Sequence, residues 1–194
     1  MPIMGSMDGK QTASDVKAKL EILAIPMKNV EFSATEYDRL FPRGKVKTPS
    51  GIVKMGVDQF NKMRRKGRKN LLWAMRETLA NPIVILPENS DGREAKLFIK
   101  SFTSDIENKK TFIMSVVVKS EGEDTAISTG PRKKKQIYRK LENASGFLYL
   151  LADSPAETGS AQAGLIGTTD TGDRTQQNLL SPSSSEKSRE KNVH

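Results

Sequence analysis

Ile83-Val84-Ile85-Leu86-Pro87-Glu88-Asn89-Ser90-Asp91-Gly92 and, just beyond it, Ala95-Lys96-Leu97-Phe98-Ile99-Lys100-Ser101-Phe102-Thr103 mark where the apolar pattern of this 194-residue chain changes period. Before Ile83 apolar residues recur three and four apart, the spacing of a helix face; from Ile83 onward they run together or alternate, the spacing of strands. Ile83–Leu86 is a short apolar run closed by the turn residues Asn89-Ser90-Asp91-Gly92, which predicts a buried strand followed by a turn. Residues 95–103 alternate, with Leu97 and Ile99 on one face and Phe98, Lys100 and Phe102 on the other. Residues 111–119 repeat the pattern, setting Phe112, Met114, Val116 and Val118 opposite Thr111, Ile113, Ser115 and Val117. A turn at Glu121-Gly122-Glu123-Asp124 and a strand over Thr125–Thr129 complete an antiparallel meander.

Working back from Ile83, Leu72, Met75 and Leu79 form one stripe of a helix over 71–79 that Asn81-Pro82 ends. A helix over 57–66 carries Val57, Phe60 and Met63 three apart, with Gly67 as its C-terminal cap. Lys45–Thr48, Pro49-Ser50-Gly51 and Ile52–Met55 read as a hairpin. Ser33-Ala34-Thr35-Glu36 has capping-box spacing and opens a short helix to Phe41. An earlier helix is capped by Ser14, shows Val16, Leu20 and Leu23 on its apolar side, and ends before Pro26. Working forward, Pro131 suits the first position of a helix reaching Glu142, with Ile137 and Leu141 inward. Residues 146–150 form a last strand. The expected fold is α+β, with N-terminal helices gathered on one face of a mostly antiparallel four- to five-stranded sheet. The organisation follows: residues 1–13 disordered, 14–42 a helical lead-in, 43–151 the domain, and 152–194 a disordered tail. That tail has no aromatic residue and too little apolar surface to offset its ordering entropy.

With no cysteine and a single histidine, His194, the chain has no disulfide, thiolate site or imidazole inside the expected fold. No run approaches the 18 or so apolar residues of a membrane helix, and the opening MPIMGSMDGK carries no secretory signal pattern. No metal site, cofactor or membrane association is expected, and the location expected is cytoplasmic. The acids Glu121, Glu123 and Asp124 read as a solvated turn rather than a metal cluster.

Charge is concentrated. Residues 43–151 hold 23 Lys and Arg against 11 Asp and Glu, a net of +12 in a chain whose total is +9. Such a field favours polyanionic partners, nucleic acid first. Two runs stand out. Arg64-Arg65-Lys66-Gly67-Arg68-Lys69 lies at a helix end, where long cationic side chains either clamp phosphates or complement the helix dipole. Arg132-Lys133-Lys134-Lys135 lies at a helix start, where the dipole opposes cations and a phosphate would compensate them. Lys100 shares its strand face with Phe98 and Phe102. If that face packs on helices, its ammonium either snorkels to an edge or is held inside for a purpose. Ser128 and Thr129, at the end of a strand before Gly130-Pro131, offer hydroxyls to a phosphate oxygen or are ordinary strand-end residues. Trp73 and Tyr149 read as core.

Val46-Lys47-Thr48-Pro49-Ser50-Gly51-Ile52-Val53-Lys54-Met55-Gly56, Arg76-Glu77-Thr78-Leu79-Ala80-Asn81-Pro82, Ala126-Ile127-Ser128-Thr129 and the late Leu148-Tyr149 occur in this order. Together they resemble the phage and mobile-element nucleases of the barnase–EndoU–colicin–RelE (BECR) group, over roughly residues 43–151. The resemblance implies helices on an antiparallel four-stranded sheet and an RNA substrate, tRNA among the candidates. It implies metal-independent hydrolase chemistry, in which the ribose 2′-hydroxyl attacks the adjacent phosphate. Domains of this group are fused to phage head-morphogenesis proteins, which makes an acidic inhibitor or a phage structural protein a further candidate partner. Members carry a histidine directly after the Ser-Thr pair, where this chain has Gly130. Without it, Lys100, Arg68, Ser128, Thr129 and Arg132 are the groups left to stabilise the phosphate. Arg64, Arg65, Lys66, Lys69, Lys133, Lys134 and Lys135 are left to hold the backbone. The expected activity is that of an endoribonuclease; the alternatives are a non-catalytic nucleic-acid-binding module and a protein-interaction domain.

Overall fold

The computed structural model describes residues 11–104 and 110–153. Ten of the thirteen residues expected to be disordered at the start, and all of the expected tail after Asp153, lie outside them. Within them, residues 11–13 depart from the expectation. Thr12, not Ser14, caps α1 (Ala13–Ile22), and Thr12 and Asp15 satisfy each other's backbone donors in a full capping box. In α2 (Ala34–Leu40) only half of the predicted box forms. Ser33 Oγ accepts from the Glu36 N–H, while the Glu36 carboxylate turns to Arg39.

The remaining elements are β1 (Ile25–Pro26), β2 (Lys45–Thr48), β3 (Gly51–Lys54), α3 (Val57–Arg65), α4 (Leu72–Ala80), β4 (Val84–Ser90), β5 (Arg93–Thr103), β6 (Thr111–Glu121), β7 (Glu123–Arg132), α5 (Lys134–Asn143) and β8 (Tyr149–Leu150). The α+β class and the central meander β4-β5-β6-β7 agree with the sequence patterning. The sheet is larger than expected and mixed. Among the described residues it has eight strands, seven of them in the order β2-β3-β7-β6-β5-β4-β8, and β1 pairs with β5. Two pairings are parallel, β1 with β5 and β3 with β7. Pairs this short are fixed by partners far along the chain, so no local period announces them.

The helices do not gather on one face. Phe98, Phe102, Met114, Val116 and Val118 pack with Leu72, Met75 and Leu79 of α4 and with Tyr37 and Leu40 of α2. On the opposite face Leu97, Ile99 and Ile113 pack with Val16 and Leu20 of α1 and Ile137 and Leu141 of α5. The reason is in β5 and β6 themselves. Both of their faces are apolar, so one layer of helices would leave the other face in water. The lead-in is accordingly part of the same packing, since Val16, Leu20 and Phe41 are fully buried. Val57, expected on the inner stripe of α3, is exposed.

The end of β7 also differs. Pro131 does not open the last helix; it sits in the strand opposite Met114. Only two β3–β7 residues pair, Lys54 with Thr125, so the last part of β7 is a free edge. A proline, having no N–H to offer, is at home there.

Candidate nucleic-acid interface

β7 positions the hydroxyl residues through one irregularity. Val117 faces Ser128 and Val118 faces Ala126, so Ile127 is an extra residue in a bulge. Strict alternation would put Ala126 and Ser128 on the same face. With the bulge, Ala126 packs into the α4-side core while Ser128 turns to the α5 side and Thr129 back toward α3 and α4.

Ser128 thus lines a cleft of about 720 Å³ between α5 and the sheet. Leu97, Ser115 and Val117 make its floor, Pro87–Ser90 one wall, and Arg132, Gln136, Arg139, Lys140 and Asn143 the other. Arg132 Nε donates to Ser115 Oγ at 3.3 Å, and no ion pair engages Arg132 or Arg139 among the described residues. Lys140 is neutralised by Glu88 at 2.5 Å. The cleft is therefore a hydroxyl-lined slot with two uncompensated guanidinium groups, the donors whose planar fork fits phosphate oxygens. Gln136, Arg139, Lys140 and Asn143 were missed in the sequence, although their 3-1-3 spacing marks a polar stripe beside Ile137 and Leu141.

The predicted residues divide between the two faces. Ser128 and Arg132 meet in the cleft. Lys100 does not: it lies on the α4 side, 6% exposed, with its ammonium donating to the Asn81 carbonyl oxygen at 2.6 Å and 3.6 Å from Glu77. Burial lowers its pKa, and the Glu77 carboxylate opposes the shift. A lysine so placed fastens the end of α4 to the sheet. Arg68 approaches β7 from the α3 side. Gly67, at φ 65, reverses the chain after α3, and the Arg68 N–H closes the turn on the Met63 carbonyl at 2.9 Å. The Arg68 guanidinium then donates to the Thr129 carbonyl oxygen and lies against Gly130, where a Cβ would meet it at 2.8 Å. Gly130 is thus the residue that leaves room for Arg68.

Of the basic runs, Arg64 is held by Asn61, while Arg65, Lys66 and Lys69 are exposed without an ion pair among the described residues. Arg132 ends the strand, Lys133 is the N-cap residue of α5 and makes no side-chain cap bond, and Lys134, the first helical residue, bonds Glu21 of α1 at 2.7 Å. Lys133 and Lys135 are exposed and unpaired among the described residues. No group of three or more His, Cys, Asp or Glu among the described residues is placed to hold a metal ion, and no described helix is long and apolar enough to cross a membrane. Comparison with known protein families, curated proteins and solved structures gives no match.

Proposed function

We propose that this protein binds RNA and holds its phosphate backbone in the cleft between α5 and β7. The observation that carries the reading is the pair Arg132 and Arg139, which enter the cleft beside Ser128 without an ion pair among the described residues, the cleft's carboxylate Glu88 being taken by Lys140. A cation without a partner in a concave site is stabilised by an anionic ligand, and the excess of positive charge over residues 43–151 makes that ligand a polyanion. The order of phrases resembling the BECR group favours RNA over DNA. The test is anisotropy of a labelled single-stranded RNA over a salt series. Arg132→Ala with Arg139→Ala should weaken binding to every sequence alike and lower the salt slope by about 0.7 per lost phosphate contact. An unchanged slope would move the interface elsewhere.

Cleavage of the bound strand is a second reading, favoured by Glu88, a carboxylate in the same cleft as Ser128 and Arg132 that Lys140 holds in its ionised, proton-accepting form. In that reaction Glu88 takes the proton of the ribose 2′-hydroxyl and the new O2′–P bond forms. The P–O5′ bond breaks, and the leaving oxygen is protonated by solvent. Arg132 and Arg139 stabilise the charge gathering on the phosphate. Incubation with RNA in EDTA, followed by end analysis for a 2′,3′-cyclic phosphate, decides between binding alone and cleavage.

A further inference from the structure

A second recess lies between α3 and the edge of β7, lined by Gln59, Lys62, Lys66, Arg68, Thr129 and Ser128, which it shares with the cleft, among others. Its volume, about 10 Å³, has room for a single oxygen atom. Two independent features mark it. Thr129 is 5% exposed, and its hydroxyl is buried with no hydrogen-bond partner among the described residues. An orphaned buried hydroxyl is costly, so such groups are kept satisfied unless a ligand completes them. The lining also holds three cations and no carboxylate. Lys62 gives one N–H to the Ile127 carbonyl oxygen at 3.0 Å, and Arg68 gives one to that of Thr129, which leaves donors on both.

We propose that this recess is an oxyanion subsite that seats one oxygen of a phosphate group, with the Thr129 hydroxyl as its innermost donor. Its size admits the tip of a phosphate and leaves the other oxygens outside, in reach of Lys66. The inference rests on the RNA-binding reading for the source of that phosphate. Ser128 lines both the cleft and the recess, and Thr129 lines the recess alone, so a backbone crossing the edge of β7 meets both sites. The edge is open to such a strand, because Pro131 and the two cation-capped carbonyls discourage pairing with another strand.

The experiment is NMR titration of the isotopically labelled full chain, first with inorganic phosphate and then with a single-stranded RNA oligonucleotide. Phosphate should shift the Arg68 side-chain N–H, the Gln59 amide and the Thr129 backbone saturably. Thr129→Val should weaken that binding about tenfold. Thr129→Ser, which keeps the hydroxyl, should restore it and controls for folding. The Arg132→Ala/Arg139→Ala variant should keep the phosphate response even if the cleft no longer holds RNA, so failure of the cleft and failure of the recess are read separately. Shifts at the recess with phosphate but not with RNA would sink the shared-strand part and leave a free-phosphate site. No shift with phosphate, or the same shift in Thr129→Val, would mean that the recess holds an ordered water only, and would overturn the proposal.

Discussion

The Lys100 ammonium donates to the carbonyl oxygen of Asn81 at 2.6 Å, tying the middle of β5 to the residue that ends α4. Ser128 and Arg132 lie beyond the sheet on its other side. Lys100→Met should therefore cost stability, by about 2 kcal/mol for the lost charged hydrogen bond, while RNA affinity stays unchanged. Chemical denaturation and the RNA anisotropy assay measure the two. A large loss of affinity in a folded Lys100→Met protein would restore Lys100 to the interface.

The same lysine gives a pH signature. Burial makes its native pKa lower than its ordinary one, so in the alkaline window just below the ordinary lysine value the unfolded chain binds more protons. Wild-type stability should therefore rise with pH in that window relative to Lys100→Met, because the cost of burying the charge disappears. Equal slopes for the two proteins would refute the assignment.

Gly130 and Arg68 should be energetically coupled. A Cβ at 130 would meet Arg68 Nη1 at 2.8 Å and Cζ at 2.9 Å. Gly130→Ala should push the flexible Arg68 guanidinium off the Thr129 carbonyl oxygen, costing at most about 1 kcal/mol for that hydrogen bond. In Arg68→Ala the same change should be close to neutral, so a double-mutant cycle should give a clear interaction energy. Additive effects would argue against the contact. Introducing histidine at 130 would meet the same obstacle.

Helix α1 is held to α5 by Glu21, which accepts from Lys134 at 2.7 Å and from the Tyr138 hydroxyl at 2.5 Å. The Lys134 ammonium, then Tyr138, keep the Glu21 carboxyl below its ordinary range. Burial, then the bond to Glu21, push Tyr138 up to about 12. Since the Glu21 pKa is depressed, the tether contributes above the ordinary carboxylate range and is lost as the pH falls through the lowered value. Both partners are near half exposed, so the contribution is a few tenths of a kcal/mol. Glu21→Gln should bring the Tyr138 titration, followed by NMR, back toward that of free tyrosine.

Leu20 tests whether the lead-in belongs to the fold. It is 1% exposed and packs in the cluster with Leu97, Ile99 and Ile137. Leu20→Ala should cost about 2–5 kcal/mol, the range for a buried leucine that leaves a cavity. A change below half a kcal/mol would show that the domain stands without its first helix.

Local chemistry along the chain determined a good deal here. The change of period at Ile83 marks where helices give way to strands. Gly67 ends α3, and the alternation in 95–103 and 111–119 assigns each residue of β5 and β6 to a face. These are effects of neighbours within a turn or two, and sequence displays them. Tertiary structure alone decided how many strands join and which face each hydroxyl serves. The parallel contact of Lys54 with Thr125 links residues 71 positions apart. Ser128 faces the cleft because a bulge at Ile127 breaks the period by one residue. It parted Lys100 from Ser128, because the strand faces are defined relative to one another only once β6 and β7 are in register. Register depends on the sum of long-range packing, and no single stretch of sequence contains that sum.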